Sequence, residues 1–337
     1  RDCLLSRGLG DVYKRQCPVC TGMPGSLPVL NKKVVEYAAA VGLATNCTIT
    51  QDCKFDRKNY FYPDNPQNYQ ISQLYLPICR NGHVDVTLSD GTEKTIRIHE
   101  IHMEEDAGKL VHDEWEGVSY VDYNRSGVPL IEIVSEPDMR SAEEVIAYLT
   151  KLRTTIQYLG ASDCKLQEGS MRADVNLSVR ERGSSEFGTR TETKNLNSFA
   201  AIERAIKAET ARQIDLIEAG EKVVQETRRW NDDKEYSYAM RSKEDAQDYR
   251  YFPDPDLVPI HISDEYLAEL KAKQPEFKDE KKARYIEEFG LPEYDAEILT
   301  DSKKFTEIFE EATAICNQPK KVSNWIMGET MRLMKEE

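Results

Sequence analysis

Two β-branched runs carry carboxylates where a folded chain tolerates them least, and they constrain the architecture more than any other stretch. Thr95–Met103 reads as a strand, because β-branched residues favour extended backbone. It runs straight into Glu104, Glu105 and Asp106. Leu130–Val134 (LIEIV) is a second short strand with Glu132 at its centre. Period-two alternation puts Glu132 on the same face as Leu130 and Val134. An ionised carboxylate among such neighbours is costly unless it is paired or bound to a metal. Acidic side chains converging from two strand ends suit Mg2+, which takes oxygen ligands from one or two carboxylates plus phosphates. A solvated acidic turn beside an edge strand fits the same letters, because acidic runs are usually surface. Spacing alone leaves both open.

The rest of the chain alternates strand and helix signals. Asn31–Leu43 has apolar residues at helical spacing and Gly42 near its end. His83–Leu88, a Ser89-Asp90-Gly91-Thr92 turn and Lys94–Met103 read as a β-hairpin. Ser141–Leu159 is the strongest helix signal: Ser141 and Glu144 make a capping box, and Gly160 stops it. Met171–Arg180 alternates cleanly, with Arg172, Asp174, Asn176, Ser178 and Arg180 on one face. That face is either an ordinary wet strand surface or the lining of a polar cleft. Thr189–Phe199 presents Glu192, Lys194, Asn195 and Asn197 just before a second helix, which Ser198 can cap and Gly220 ends. A helix N-terminus with Lys and Asn donors nearby suits an anion as well as it suits a plain cap. Two loops rich in tyrosine and proline, Phe55–Tyr75 and Tyr249–Asp256, are either binding loops or surface connections. From Ser263 the texture changes to short helices, Asp264–Leu270, Lys278–Phe289, Ser302–Cys316 and Val322–Glu337, and a domain boundary is expected near Ser263.

At 337 residues two domains are the natural expectation. A formal net charge of −15 argues against a general polyanion-binding surface, but not against a local basic patch or shape-based RNA recognition. No run of about 18 apolar residues exists, so no membrane span is expected. Residues 1–16 lack the apolar core of a secretory signal. The eight cysteines are scattered, which suits a reducing, cytoplasmic setting. Cys17-Pro-Val-Cys20 supplies two thiolates where a structural zinc needs four ligands, so zinc is weighed there against a plain turn.

Laid end to end, KFDRKNYFYPDNP, YQISQ, HMEEDAGK, NRSGVPLIEIVSEPD, TKNLNSF, QETRRW and DYRYFPDPDLVP resemble one family over roughly Cys17 to Glu337: the B subunits of the aspartyl/glutamyl-tRNA amidotransferases. The resemblance implies a ligase component that uses ATP and Mg2+ to phosphorylate the side-chain carboxylate of glutamate on tRNA(Gln) or aspartate on tRNA(Asn). Ammonia from a glutaminase A subunit then displaces phosphate, and a small C subunit holds the other two together. The implied fold class is α+β: an antiparallel-sheet cradle of glutamine-synthetase-like type over 17–263, then an all-helical domain over 264–337. The family's tail domain is not recognised in this sequence. The resemblance places Glu105 and Glu132 at metal-ligand positions. Asp174 and Glu192 fall in motifs lining the same cavity, and Arg172, Asn176, Lys194, Asn195 and Asn197 are candidates for contacting nucleotide or acyl phosphate.

The sequence departs from the family at its start. The family opens with a Gly-Leu-Glu-Val-His strand whose Glu and His complete the metal site, and residues 1–16 contain neither residue type. That segment is therefore expected to be foreign sequence. Zinc-site members carry an earlier cysteine pair, whereas only Cys3 precedes Cys17 here, so an incomplete zinc site is expected. Two competing expectations follow. One is a non-catalytic scaffold fragment that binds tRNA and partners. The other is the related archaeal B-type protein, whose extra inserted domain is not found in this order of motifs.

Overall fold

The computed structural model describes residues 17–19, 21–113, 115–242 and 248–336. The expectations for residues 1–16 and for Cys20 as a zinc ligand lie outside the described residues. The elements in order are α1 (Lys32–Ala44), β1 (Thr48–Ile49), β2 (Asp52–Cys53), β3 (Asp56–Asn59), β4 (Tyr69–Ser72), β5 (Cys79–Thr87), β6 (Glu93–Glu105), β7 (Lys109–Asp113), β8 (Val118–Asp122) and β9 (Pro129–Ser135). They continue with α2 (Ala142–Leu159), β10 (Val175–Leu177), β11 (Thr191–Lys194), α3 (Phe199–Glu218), β12 (Glu226–Asn231), β13 (Tyr236–Ser242), β14 (Phe252–Pro253), β15 (Ile260–His261) and α4 (Asp264–Ala272). Strands and helices are segregated as in an α+β fold.

The chain divides into two compact units, Arg1–Tyr148 with Lys165–Ala272, and Leu149–Cys164 with Lys273–Glu337. The boundary thus falls after α4 rather than at Ser263, and the end of α2 counts with the second unit. Local contacts give the reason for the latter. Tyr158 Oη donates to the Thr300 carbonyl at 2.7 Å, and Lys303 Nζ donates to the Tyr158 carbonyl at 3.0 Å.

The first unit is built on two four-stranded sheets. One has the order β1-β5-β6-β9 and is antiparallel throughout. The other has the order β10-β11-β12-β13 and contains a parallel pair, β11 with β12. α3 supplies the crossover that a parallel pair requires. α1 lies close on the first sheet: a Cβ on Gly42 would come within 2.3 Å of Cys79 Sγ, so only glycine fits there.

The phase of β6 decides what each sheet face carries. Ile96 and Ile98 are buried, and after an irregularity in register between Ile98 and Glu100 the buried residues become Ile101, Met103 and Glu105. An extra residue in one strand flips the alternation beyond it. Glu100, His102 and Glu104 therefore share the face away from the core.

Two further expectations change. Regular strand in Met171–Arg180 is confined to β10, although the alternation survives as exposed Arg172, Asp174 and Asn176. In the second unit, α5 (Lys278–Glu287) and α7 (Lys303–Cys316) are joined by an α6 (Glu293–Thr300) that the sequence reading missed. The chain continues as α8 (Pro319–Trp325), a π-helical turn Ile326–Thr330 and α9 (Met331–Glu336). This unit packs Tyr285, Leu291, Ala296, Leu299, Phe309 and Ile326 into its own core, with the Tyr285 and Phe309 ring centroids 4.7 Å apart. Among the described residues no helix is long and apolar enough to cross a membrane.

Candidate functional site: a histidine–carboxylate group facing a charged sheet

β6 and β9 pair so that His102 lies directly opposite Glu132. Directly opposed residues on a ladder project to one face with their Cβ atoms about 5 Å apart. His102 Nε2 is 3.4 Å from Glu132 Oε2 and 3.7 Å from Glu104 Oε2, while Nδ1 is 3.3 Å from Glu100 Oε1. The Nδ1 contact lacks hydrogen-bond geometry, and Nδ1 is otherwise buried without a partner. Burial alone would lower the basicity of the imidazole. The carboxylates of Glu100, Glu104 and Glu132 outweigh it and raise the value to about 11. Glu132 is held below the usual glutamate range, chiefly by the hydrogen bond from His102, with the positive charges of Lys58 and Lys194 adding to it. Three carboxylates thus favour a positive charge on the His102 ring.

One nitrogen or oxygen from each of His102, Glu104 and Glu132 lies within 4.8 Å of the others, close enough to bind one ion. Two carboxylate oxygens and an imidazole fit Mg2+ or Mn2+ with further positions left for phosphate and water. A bound divalent ion would reverse the protonation preference of the imidazole, because the ion takes over as counter-charge.

Glu105 falls elsewhere. It shares the core face of β6 with Ile101 and Met103, and is 4% exposed. Its Oε1 accepts from the Ile71 amide at 3.3 Å and from Gln67 Nε2. The structure therefore groups Glu132 with His102 and Glu104, and directs Glu105 to the far side of the sheet. The cause is strand parity: neighbours on one strand cannot share a face.

The second sheet brings together most of the other expected residues. Lys194 Nζ sits between Asp174 Oδ2 at 2.7 Å and Glu192 Oε1 at 3.2 Å. Thr227 Oγ1 donates to Glu192 Oε2 at 3.0 Å. Burial works against the Lys194 ammonium, but Asp174 and then Glu192 outweigh it and raise its value. Asn176 is exposed and lies opposite Glu192. Asn195 is occupied in shaping the backbone. It takes the left-handed conformation, with φ 68°, and its Nδ2 donates to the Trp230 carbonyl at 2.9 Å. Asn197 is exposed beside Ser198, whose Oγ caps α3 by accepting from the Ala201 amide at 3.0 Å. Arg172 is tied to Asp106 at 2.9 Å, the same carboxylate that Arg125 binds at 3.0 Å.

The two aromatic loops noted in the sequence meet here, because β14 pairs with β3. Lys58 Nζ lies 4.9 Å over the Tyr249 ring, and Tyr249 packs edge-on against Tyr60 and Tyr251. Burial pushes the Tyr251 phenol up to about 12, with the negative charges of Glu104 and Glu132 adding to the shift. The sequence reading included Glu104 in the acidic run but assigned Glu105 as the ligand, and did not single out His102, Lys58 or Tyr251. A signal for pairing His102 with Glu104 was present: they are two apart on a strand, hence on one face.

Comparison with known proteins bears on this arrangement. The family described as "GatB/GatE catalytic domain" matches residues 6–268. The B subunit of the aspartyl/glutamyl-tRNA(Asn/Gln) amidotransferase of Agathobacter rectalis is 77% identical over 320 residues, covering 95% of this chain and 67% of that protein. Its namesake from Lachnoclostridium phytofermentans is 68% identical over 327 residues, covering 97% of this chain and 68% of that protein. The namesake from Thermodesulfovibrio yellowstonii is 56% identical over 321 residues, covering 95% of this chain and 67% of that protein.

Proposed function

The chain belongs to the GatB/GatE catalytic-domain family, and from that membership we propose that it activates the side-chain carboxylate of glutamate or aspartate on a misacylated tRNA with ATP. A carboxylate is a poor electrophile, and phosphorylation gives it a leaving group. A carboxylate oxygen of the aminoacyl group bonds to the γ-phosphorus, the bond to the β-phosphate oxygen breaks, and ADP departs. Ammonia delivered by a glutaminase A subunit then adds to the acyl carbon, which releases phosphate and a proton and leaves the amide of Gln-tRNA(Gln) or Asn-tRNA(Asn). A C subunit completes the complex, and the two sheets of the first unit form the cradle in which this occurs.

The observation that carries the proposal is the group His102, Glu104 and Glu132 beside two lysines. Phosphoryl transfer is catalysed mainly by positioning and charge neutralisation. His102, Glu104 and Glu132 would hold Mg2+. When bound, the ion supplies positive charge that offsets charge building up on the transferring phosphoryl group. Lys58 and Lys194 would add positive charge, and both favour the ionised form of Glu132. Asp174 and Glu192 hold Lys194 in place.

The direct test supplies γ-labelled ATP and Glu-tRNA(Gln) to the chain together with A and C subunits. Labelled phosphate release that depends on the misacylated tRNA is expected. A complex that binds the tRNA yet leaves ATP intact would give the scaffold function instead.

Glu100 provides a second prediction. Its Oε1 lies 3.3 Å from His102 Nδ1, where a nearby carboxylate raises the basicity of the ring. Glu100→Gln is expected to weaken Mn2+ binding by roughly 10- to 100-fold. Titration of free Mn2+ by electron paramagnetic resonance measures this directly, and an unchanged dissociation constant would remove Glu100 from the site.

A further inference from the structure

Among the described residues the sheet that carries His102, Glu104 and Glu132 shares no strand with the sheet that carries Lys194. The placement of one against the other therefore depends on contacts outside the backbone ladders. Asp106 supplies such contacts. It lies two residues past Glu104 and carries the β6–β9 pairing one step beyond Glu105. Its amide donates to the Val128 carbonyl at 2.8 Å, and its carbonyl accepts from the Gly127 amide at 2.8 Å. Alternation along the strand puts its side chain on the side of His102 and Glu104. The residue is 8% exposed.

Two guanidiniums close on the Asp106 carboxylate. Its Oδ2 accepts from Arg125 Nε at 3.0 Å and from Arg172 Nη2 at 2.9 Å, and its Oδ1 accepts from Arg172 Nη1 at 3.4 Å. Arg125 Nη2 also donates to the Gly169 carbonyl at 2.8 Å. Both arginines thus tie Asp106 to residues 169–172, a stretch that leads into β10 and belongs to no ladder itself. Two residues past Arg172, Asp174 Oδ2 holds Lys194 Nζ at 2.7 Å. Contacts therefore run from the strand of Glu104 through Asp106 and Arg172 to Asp174 and Lys194. Gly169 fits the link closely: its φ is 70°, and a Cβ there would come within 2.5 Å of Arg125 Nη1. The two guanidiniums share one carboxylate, and without its charge they would repel each other.

We propose that Asp106 is a positioning residue for the carboxylate activation. Through Arg125 and Arg172 it fixes the segment bearing Asp174, and with it the Lys194 ammonium, against His102, Glu104 and Glu132. This inference rests on the ATP-using function proposed above and adds to it the group that sets the spacing of its two charged halves. Phosphoryl transfer depends on positioning and charge neutralisation, and a displacement of about 1 Å caused far from the reacting atoms can cost about 10²-fold in rate. Arg172 is more than half exposed, and ion pairs made by such side chains add little to stability. The loss of the clamp therefore falls on rate.

Steady-state tRNA-dependent ATP turnover of the chain assembled with A and C subunits tests it, with Mn2+ affinity and thermal unfolding measured on the same variants. Asp106→Asn is expected to lower kcat roughly 10²-fold, with KM for Glu-tRNA(Gln) and the Mn2+ dissociation constant within about twofold of the parent. Arg172→Gln should also lower kcat, and adding it to Asp106→Asn should cost nothing further, because both break one link. Gly169→Ala displaces Arg125 without removing a charge, and it should lower kcat as well. Parental kcat in Asp106→Asn with a lowered unfolding temperature gives a clamp of the fold alone and overturns the inference. A raised KM at unchanged kcat, or a weakened Mn2+ affinity, overturns it too. Losses from Asp106→Asn and Arg172→Gln that multiply also overturn it, since they put Arg172 on the substrate itself. If Asp106→Asn does not fold, the other two variants decide, and parental kcat in either overturns the inference. All these outcomes leave the ATP-using function standing. A parental complex that binds the tRNA and turns over no ATP removes function and inference together.

Discussion

Glu132→Gln is expected to lower tRNA-dependent ATP turnover by at least about 10²-fold, the scale of losing one preorganised charge-stabilising group, with the glutaminase activity of the assembled complex unchanged. The substitution keeps the shape of the side chain and removes its charge. Glu132 is 55% exposed on its strand, so an isosteric amide costs no core packing. Its carboxylate does two things that an amide cannot. It offers an anionic oxygen to a divalent ion, and it balances the positive charge on His102 at 3.4 Å. Mn2+ affinity should fall in parallel. Glu105→Gln is the matched comparison. Glu105 sits on the core face, accepting hydrogen bonds from Ile71 and Gln67, and its amide variant should bind Mn2+ like the parent. A pair of measurements in which Glu105→Gln loses the metal and Glu132→Gln keeps it would exclude the His102–Glu104–Glu132 group as the ion site.

Glu209→Ala is expected to destabilise the first unit by about 3–5 kcal/mol, the usual result of removing one partner of a buried ion pair. Glu209 is 2% exposed on α3, beneath the sheet whose other face carries Lys194. Its Oε1 accepts from Thr191 Oγ1 at 2.7 Å, Arg212 Nη2 at 2.7 Å and Gln213 Nε2 at 2.8 Å, and its Oε2 lies 3.5 Å from Arg228 Nε. Without the carboxylate, Arg228 and Arg212 lose a counter-charge in a site that water reaches poorly. Urea unfolding at neutral pH measures the loss, and a change under about 0.5 kcal/mol, the range of ordinary surface substitutions, would mean that the cluster does not hold the sheet. The same group predicts an acid limb. Burial pushes the Glu209 carboxyl up, but Arg212, Gln213 and Thr191 together bring it below the ordinary value. A depressed carboxyl stabilises the folded state fully above its unfolded value of about 4.3 and loses that contribution as pH falls through the folded value. The gap in stability between parent and variant should therefore be constant from neutral pH down to about 4.3 and narrow below it.

Periodicity determined much of this protein in advance. The helices α2 and α3 follow from apolar spacing and from the Ser141 and Ser198 caps, because those signals are local. The β5–β6 hairpin and the alternation of Arg172, Asp174 and Asn176 follow from period two. The motifs that resemble the amidotransferase B subunits carry the family membership; Lys194 pairs with Asp174 and Glu192 at the second sheet, and Glu132 lies on the first. Which carboxylate meets Glu132 was a different kind of question. Glu104 and Glu105 are adjacent letters with the same charge, and choosing between them requires the phase of β6 after its irregularity at Ile98–Glu100 and its register against β9. Both are set by pairing between residues about thirty apart in sequence, on a sheet face fixed by burial of Ile101 and Met103. Local propensity specifies which residues alternate, whereas long-range pairing specifies which of them meet, and only the tertiary structure contains the second.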